Sequence, residues 1–245
     1  TRTFARVISL AMTLALIAPF DMTTSVAAAQ DESTKGFSQG EVEQVVAPVA
    51  LYPDSLLAQI LMAATYPLEV VEAARWAKQN KNLGGDALAK ALEKQPWDPS
   101  VKSLVNFPQV LDMMDQKLDW TQKLGDAFLA QQKDVMDAVQ KLRRMAEAEG
   151  NLKATKEQKV VVEEETIVIE SATPDVVYVP TYDPTVVYGA WPYPTYPPYY
   201  YYPPGYVAGA ALVGFAVGAA WGYAWGHCDW HGGNVDGNIN RNANL

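Results

Sequence analysis

The sequence predicts a mainly α fold: an N-terminal all-α helical domain, then a small β-rich arm, a Tyr/Pro-rich extended segment and a glycine-zipper hydrophobic helix. Three observations lead to this prediction. Apolar residues recur every three or four positions over residues 38–150, which is the helical period. β-branched residues dominate residues 159–189, and glycine recurs at every fourth position towards the end of residues 207–226.

A signal peptide is predicted at residues 1–29. Two arginines precede an apolar run, and three alanines end just before Gln30 as a small-residue cleavage site. The run is shorter than the roughly 20 apolar residues that a spanning helix needs, although an uncleaved anchor is the alternative. Residues 30–37 are expected to be a mobile leader. Because the chain begins with Thr1 rather than Met, we expect at least one residue to precede it.

Residues 38–150 are predicted to form six or seven short helices in one domain. Their apolar residues lie three and four apart, as in Leu56, Leu57, Ile60, Leu61 and Ala64. Because proline fixes φ for a first turn, helices are expected to begin at Pro67, Pro99 and Pro108. Aspartates that could cap helices stand at Asp54, Asp86, Asp98 and Asp119, the last in a predicted capping box that ends at Gln122.

Residues 159–189 change from the helical period to extended runs. Val160 to Val162 and Thr166 to Ile169 flank three glutamates, which predicts a hairpin with a solvated turn rather than a pair of catalytic acids. Val176-Val177-Tyr178 is repeated ten residues later as Val186-Val187-Tyr188. We interpret the region as a small β-subdomain or as extended arms that lie across the helical domain.

The next segment, residues 190–206, consists almost entirely of tyrosine and proline. Helix and interior strand are excluded there, because proline removes backbone donors, and an extended segment is expected. Two interpretations stay open: a stiff spacer, or a row of rings that stacks on sugars or peptides. The polar Asn-rich tail, residues 227–245, is either a disordered end or a source of asparagine ladders.

The hydrophobic segment, residues 207–226, contains no charged residue and carries the glycine stripe of Gly214, Gly218, Gly222 and Gly226. On a helix this stripe would let another backbone approach closely. Each interior glycine costs about 1 kcal/mol relative to alanine, so the segment needs a compensating contact. Membrane insertion, a glycine-zipper contact between helices, and a plain buried helix are the three interpretations.

The group with metal-ligand chemistry is His227, Cys228 and His231. Its alternative is a polar cap on the hydrophobic segment, because Gly232 and the next glycine would end a helix at once. The sequence indicates no catalytic residue and no cofactor. With one cysteine the chain forms no intramolecular disulfide, so its stability depends on burial.

Charge excludes nucleic acid as an expected partner. The formal net charge is −9, with 19 basic and 28 acidic residues, and no basic stripe is present to neutralise phosphates.

Several long motifs resemble a known bacterial family. They are VAPVALYPDSLLAQILMAATYPLEVVEAARW, QPWDPSVKSLVNFPQVLDMM, LDWTQKLGDAFLAQQKDVMDAVQKLR and VVYVPTYDPTVVYG. The family is classed only as a domain of unknown function, number thirty-three hundred, and the resemblance covers roughly residues 40–235. It implies an exported protein with a hydrophobic segment that associates with a membrane, and it supplies no catalytic residues.

Together these observations predict an exported protein of the bacterial cell envelope, periplasmic or membrane-associated, that works by binding or scaffolding. Its expected partners are a membrane, another envelope protein or further copies of itself, and no small molecule is indicated. A metal-assisted hydrolase and a self-assembling glycine-zipper oligomer or pore are the alternatives.

Overall fold

A computed structural model of the protein describes residues 36–173, 176–202, 213–216 and 225–238. The predicted signal peptide lies outside these residues, as do most of the predicted leader and the end of the Asn-rich tail. The described chain is mainly α, as predicted. Its first part forms eight helices: α1 (Gln39–Val46), α2 (Asp54–Ala64), α3 (Pro67–Gln79), α4 (Gly85–Glu93), α5 (Pro99–Leu104), α6 (Pro108–Gln116), α7 (Leu118–Ala130) and α8 (Gln132–Ala148).

The predicted helix starts at proline are confirmed. Pro67, Pro99 and Pro108 are the first residues of α3, α5 and α6. Asp98 caps α5, because its carboxylate accepts a 2.8 Å hydrogen bond from Ser100 N. Proline and aspartate act here through their own backbone neighbours, so the sequence was sufficient to place them.

The other three predicted caps are wrong. Asp54, Asp86 and Asp119 lie inside the first turns of α2, α4 and α7 and make no side-chain cap. The predicted capping box at Asp119 is therefore absent, whereas α1 has one between Ser38 and Glu41. Asp54 is instead directed to a side chain from another helix, as described below.

The helices enclose one apolar core. The predicted stripe of α2 is buried, with Leu56, Leu57, Ile60 and Leu61 each 0% exposed. In helix α3 the buried residues are Val70, Ala73 and Ala74, whereas Leu68 is 74% exposed. Helices α2 and α7 approach each other closely at Gly125, where an added Cβ would overlap Ala64 O.

The predicted β-hairpin is present. Strands β1 (Gln158–Glu163) and β2 (Thr166–Ser171) pair antiparallel, with Val161 opposite Val168. The glutamates lie at the turn, where Glu164 has φ of 53°, and all three are exposed, as predicted for a solvated turn. One face of β2 buries Ile167 and Ile169, and this face joins the hairpin to the helical core.

The two copies of the Val-Val-Tyr repeat form different structures. The first copy belongs to β3 (Val176–Val179), whereas the second lies in the one-turn helix α9 (Pro184–Val187) and ends at Tyr188. The extended structure predicted for the second copy is therefore wrong. Its helical turn is set locally, since Asp183 accepts a hydrogen bond from Thr185 N and Pro184 occupies the first position.

The structure describes two parts of residues 207–226, namely 213–216 and 225–226. The helix predicted there is wrong for both. Strand β4 (Val213–Ala216) contains Gly214 and pairs antiparallel with β3. Strand β5 (Trp225–Asp229) contains Gly226 and pairs with β6 (Asn234–Asn238). Pairing explains the difference, because a neighbouring strand edge offers backbone hydrogen bonds that compete with helix formation. Gly218 and Gly222 lie outside the described residues.

Within the described ranges, each helix taken singly is too short or too polar to cross a bilayer. Helices α2 and α3 reach that length and composition only as a pair, and they are bent by 113° where they meet.

Candidate functional site

The three candidate metal ligands do not converge. His227 and His231 are exposed, whereas Cys228 is buried. Because side chains alternate across a strand, His227 and Cys228 lie on opposite faces of β5. Among the described residues, no three His, Cys, Asp or Glu side chains are grouped to hold a metal ion.

Cys228 is a buried thiol that contacts α2. Its Sγ lies 3.5 Å from Asp54 O and its residue is 1% exposed. Burial raises the pKa of Cys228, the Asp54 carboxylate raises it further, and Arg143 opposes them. The thiol therefore stays protonated near neutral pH, and the thiolate that a metal ligand or nucleophile requires is disfavoured.

A buried arginine joins four parts of the chain. The Arg143 side chain is 0% exposed and donates to Asp54 Oδ1 at 2.7 Å. It also donates to backbone carbonyls of the loop before α2 and of β2, namely Ala50 O, Tyr52 O and Ile167 O. Its guanidinium carbon lies 4.8 Å from the centre of the Trp230 ring, and Trp230 Nε1 donates to Asp54 Oδ2 at 2.7 Å. This cluster of Arg143, Asp54 and Trp230 fastens α2, α8, β2 and the β5–β6 hairpin together.

None of the predictions from the sequence included this cluster, although a signal was present. Val139, Leu142 and Ala146 form the buried stripe of α8, and Arg143 falls within it. A charged residue at the helical spacing of a buried stripe is rarely buried without a partner. The partner, Asp54, is 89 residues away along the chain.

Three tyrosines form a second buried cluster around Ala47. Tyr182 and Tyr188 donate hydrogen bonds to Ala47 O at 2.8 Å and 2.7 Å, and Tyr188 OH also lies 3.2 Å from Tyr182 OH. The rings of Tyr52 and Tyr188 each meet Tyr182 edge to face. Burial raises the pKa of all three hydroxyls above the ordinary value, so they remain neutral.

The Tyr/Pro-rich segment lies against the helices. We call its described part, residues 190–202, the tyrosine strap. It contains no helix or strand, as predicted. It lies on the helices and does not extend away from them as a spacer would. Gln44 Nε2 donates to Pro197 O at 2.6 Å, and Lys123 Nζ donates to Tyr199 OH at 3.0 Å. The strap is therefore held along α1 and α7 over much of its length.

Helix α1 provides a seat for the strap. An added Cβ at Gly40 would lie 3.0 Å from ring atoms of both Tyr193 and Tyr196, so the missing side chain makes room for the two rings. Beside it, Glu43 is 0% exposed and its Oε1 accepts hydrogen bonds from Lys141 Nζ at 2.7 Å and Tyr193 OH at 3.0 Å. Lys141 Nζ also donates to Tyr193 OH at 3.1 Å.

The Lys141 ammonium is the counter-charge of this buried acid. Burial lowers the pKa of Lys141, but its hydrogen bonds to Glu43 and Tyr193 outweigh that effect and raise it above the ordinary value. Within the described chain Glu43 Oε2 has no hydrogen-bond partner. The Glu43 carboxylate is thus paired with Lys141 of α8 and accepts a hydrogen bond from Tyr193 of the strap.

Two tyrosines of the strap face solvent beside an open groove. Tyr200 is 57% exposed and Tyr202 is 38% exposed, and their ring centres are 5.3 Å apart. Tyr202 OH donates to Asp183 Oδ2 at 2.7 Å, which fixes its ring. The adjoining space, which we call the tyrosine groove, has a volume of ≈ 630 Å³ and is lined in part by Gln44, Gln116, Lys117, Asp119, Tyr199 and Tyr200.

The groove combines aromatic faces with amide, ammonium and carboxylate groups. Ordinary binding sites have this composition, in which rings supply contact area and a few polar groups orient the ligand. Tyrosines that are already fixed lose little conformational entropy when a ligand binds. The tyrosine groove is therefore the candidate binding site of the described chain.

Comparisons with known proteins agree with the resemblance seen in the sequence. The model of a family described as "Protein of unknown function (DUF3300)" matches residues 38–245. The chain is 47% identical over 200 residues to a protein of Escherichia coli (strain K12) described as "Uncharacterized protein YacH". The match covers 69% of this chain and 32% of that relative, so the chain spans about a third of the relative's length. No solved structure matches.

Proposed function

Since the chain belongs to the DUF3300 family, whose function is unknown, we propose a function from its own residues: an exported cell-envelope protein that associates with a membrane and works by binding or scaffolding. The observation that carries the binding role is the tyrosine groove with its exposed pair, Tyr200 and Tyr202. The predicted signal peptide, residues 1–29, and the uncharged residues 207–226 support the envelope location.

The exposed tyrosines support binding because of how they are held. Helix α1 seats the strap through Gly40 and Gln44, so Tyr200 is presented from a fixed backbone. Tyrosine is enriched at protein interfaces, where its ring buries apolar area and its hydroxyl keeps a polar contact. A neighbouring envelope molecule or a second copy of the chain is the expected occupant.

The location is tested by fractionation of cells that express the full chain. We expect the protein to be absent from the cytoplasm and to stay in the membrane pellet after a high-salt wash, because salt screens charge contacts but not apolar ones. Recovery of all the protein in the soluble periplasmic fraction would contradict membrane association. Recovery in the cytoplasm would contradict export.

The binding role is tested by photo-cross-linking in intact cells. A photoreactive phenylalanine analogue at Tyr200 should give a discrete adduct, whereas the same analogue at Tyr66 serves as the matched control. Tyr66 is 42% exposed, lies in the helical body and is not among the residues that line the groove. Equal adduct patterns at the two positions would contradict a binding role for the groove, and an adduct with a second copy would identify self-association.

A further inference from the structure

Both flanks of the hydrophobic segment are fastened to the same helical body. On the preceding side, Tyr202 OH donates to Asp183 Oδ2 and Lys123 Nζ donates to Tyr199 OH. On the following side, Cys228 is 1% exposed and Trp230 contacts Asp54 and Arg143. A helix that crosses a bilayer once would need these flanks on opposite sides of the membrane.

The segment is fastened a third time within its length. Strand β4 pairs with β3 through Val176 opposite Ala216 and Val179 opposite Val213. Strand β3 is itself part of the core, since Val177 and Val179 are 3% and 2% exposed. The backbone of residues 213–216 is therefore held by the same body as both flanks.

The chain between these attachments is too short to cross a bilayer and return. Eight residues, 217–224, separate β4 from β5, and ten residues, 203–212, separate Tyr202 from β4. At about 3.6 Å per residue these links extend to about 30 and 40 Å, so a link that leaves and returns reaches about 15 or 20 Å at most. The hydrocarbon core of a bilayer is about 30 Å thick.

We infer that the protein meets a lipid bilayer from one side only, with the helical body and residues 227–238 on the same side. This inference rests on the proposed membrane association and specifies its form. Contact is limited to the interfacial layer and, at a reach of about 20 Å, to the nearer two-thirds or so of the hydrocarbon, as in proteins that lie on a membrane without crossing it. A spanning arrangement would require both the β3–β4 pairing and the contacts of Trp230 to be broken.

Cysteine labelling in spheroplasts tests the inference on the full chain. The background variant is Cys228→Ser, which removes the natural thiol. Leu129→Cys then reports the helical body, where Leu129 is 71% exposed, and His231→Cys reports the far flank. His227→Cys is a second flank reporter if His231→Cys alters the far-ultraviolet circular dichroism spectrum.

A membrane-impermeant maleimide is added before or after lysis. We expect body and flank reporters in the membrane pellet to reach the same labelled fraction before lysis. If one of them is labelled before lysis and the other only afterwards, the inference is overturned. If both are labelled only after lysis, the proposed export is contradicted and the one-sided arrangement stands.

Discussion

In helix α2 the side chains of Leu56 and Ile60 are wholly buried, whereas in the tyrosine strap Tyr200 keeps 57% of its surface exposed. The helical body, α1 to α8, is held by apolar contacts among its own helices. The strap, residues 190–202, is held by polar contacts to residues of the body such as Gln44 and Lys123, and by rings that are only partly buried against the core. The difference indicates that the strap obtains its order from the body.

The Arg143 cluster, which joins α2, α8, β2 and the β5–β6 hairpin, resembles neither region. It is buried like the body but polar like the contacts of the strap. We expect changes in the cluster and the body to alter global unfolding, and changes in the strap to alter only its local attachment. Each prediction below tests that division.

The largest effect is expected for Arg143→Met. Removal of the guanidinium leaves the Asp54 carboxylate without its counter-charge, which should lower the free energy of unfolding by about 3–5 kcal/mol. Urea denaturation measures the change. Arg144→Met is the matched control, because Arg144 is exposed and is expected to change stability by about 0.5 kcal/mol or less.

Addition of Asp54→Asn to Arg143→Met should recover part of the loss, because it removes the unpaired charge. Equal stability of Arg143→Met and Arg144→Met would contradict the assignment of the cluster as the joint of α2, α8, β2 and the β5–β6 hairpin.

High pH should destabilise the protein through its buried tyrosines. The pKa values of Tyr52, Tyr182 and Tyr188 are raised in the folded state, so these groups contribute stability that is complete below the ordinary tyrosine pKa near 10 and is lost as pH rises above it. Each should cost about 1 kcal/mol between pH 10 and pH 11.

Urea denaturation at several pH values measures this slope. Tyr182→Phe should make the slope shallower, because it removes one titrating hydroxyl. A slope that is unchanged in Tyr182→Phe would contradict the burial of that hydroxyl in the core.

Substitution of Gly125 tests the packing of the body. An added Cβ would overlap Ala64 O, so Gly125→Ala should separate α7 from α2 and lower the free energy of unfolding by about 1–3 kcal/mol. Gly84→Ala is the matched control, because its Cβ would meet no atom within 4 Å and its φ is −154°. The same loss in both variants would show that helix propensity or chain entropy, rather than the contact, determines the effect.

The smallest effect is expected for Tyr193→Phe in the strap. The change removes the hydroxyl bonded to Glu43 and Lys141 and should cost about 1 kcal/mol, seen as roughly fivefold faster chymotrypsin cleavage within the strap. Global unfolding should change little. Tyr200→Phe, on an exposed ring, is the control, and equal cleavage rates in the two variants would contradict the attachment of the strap through α1.

Local chemistry explains the predictions that succeeded. Pro67, Pro99 and Pro108 begin helices because the fixed φ of proline acts within one residue, and Asp98 caps because its acceptor lies two residues from the donor. The two β-branched runs that predict a hairpin around Glu164 are likewise a local signal.

Three results depended on long-range contacts. Asp54 was predicted as a cap but binds Arg143. Gly214 was predicted on a helix but lies in a strand. In the described chain, two helices meet closely at Gly125. The sequence does not signal this contact, because no glycine stands four residues before or after Gly125.

The sequence by itself determined the helical body, its proline starts and the β1–β2 hairpin, because period, φ restriction and capping act over a few residues. Only the tertiary structure decided that Arg143 would be buried, that the strap would lie on α1 and that residues 213–216 would pair with β3. Each of these outcomes depends on a donor, an acceptor or a strand edge supplied from more than 30 residues away, and local pattern carries no information about such a partner.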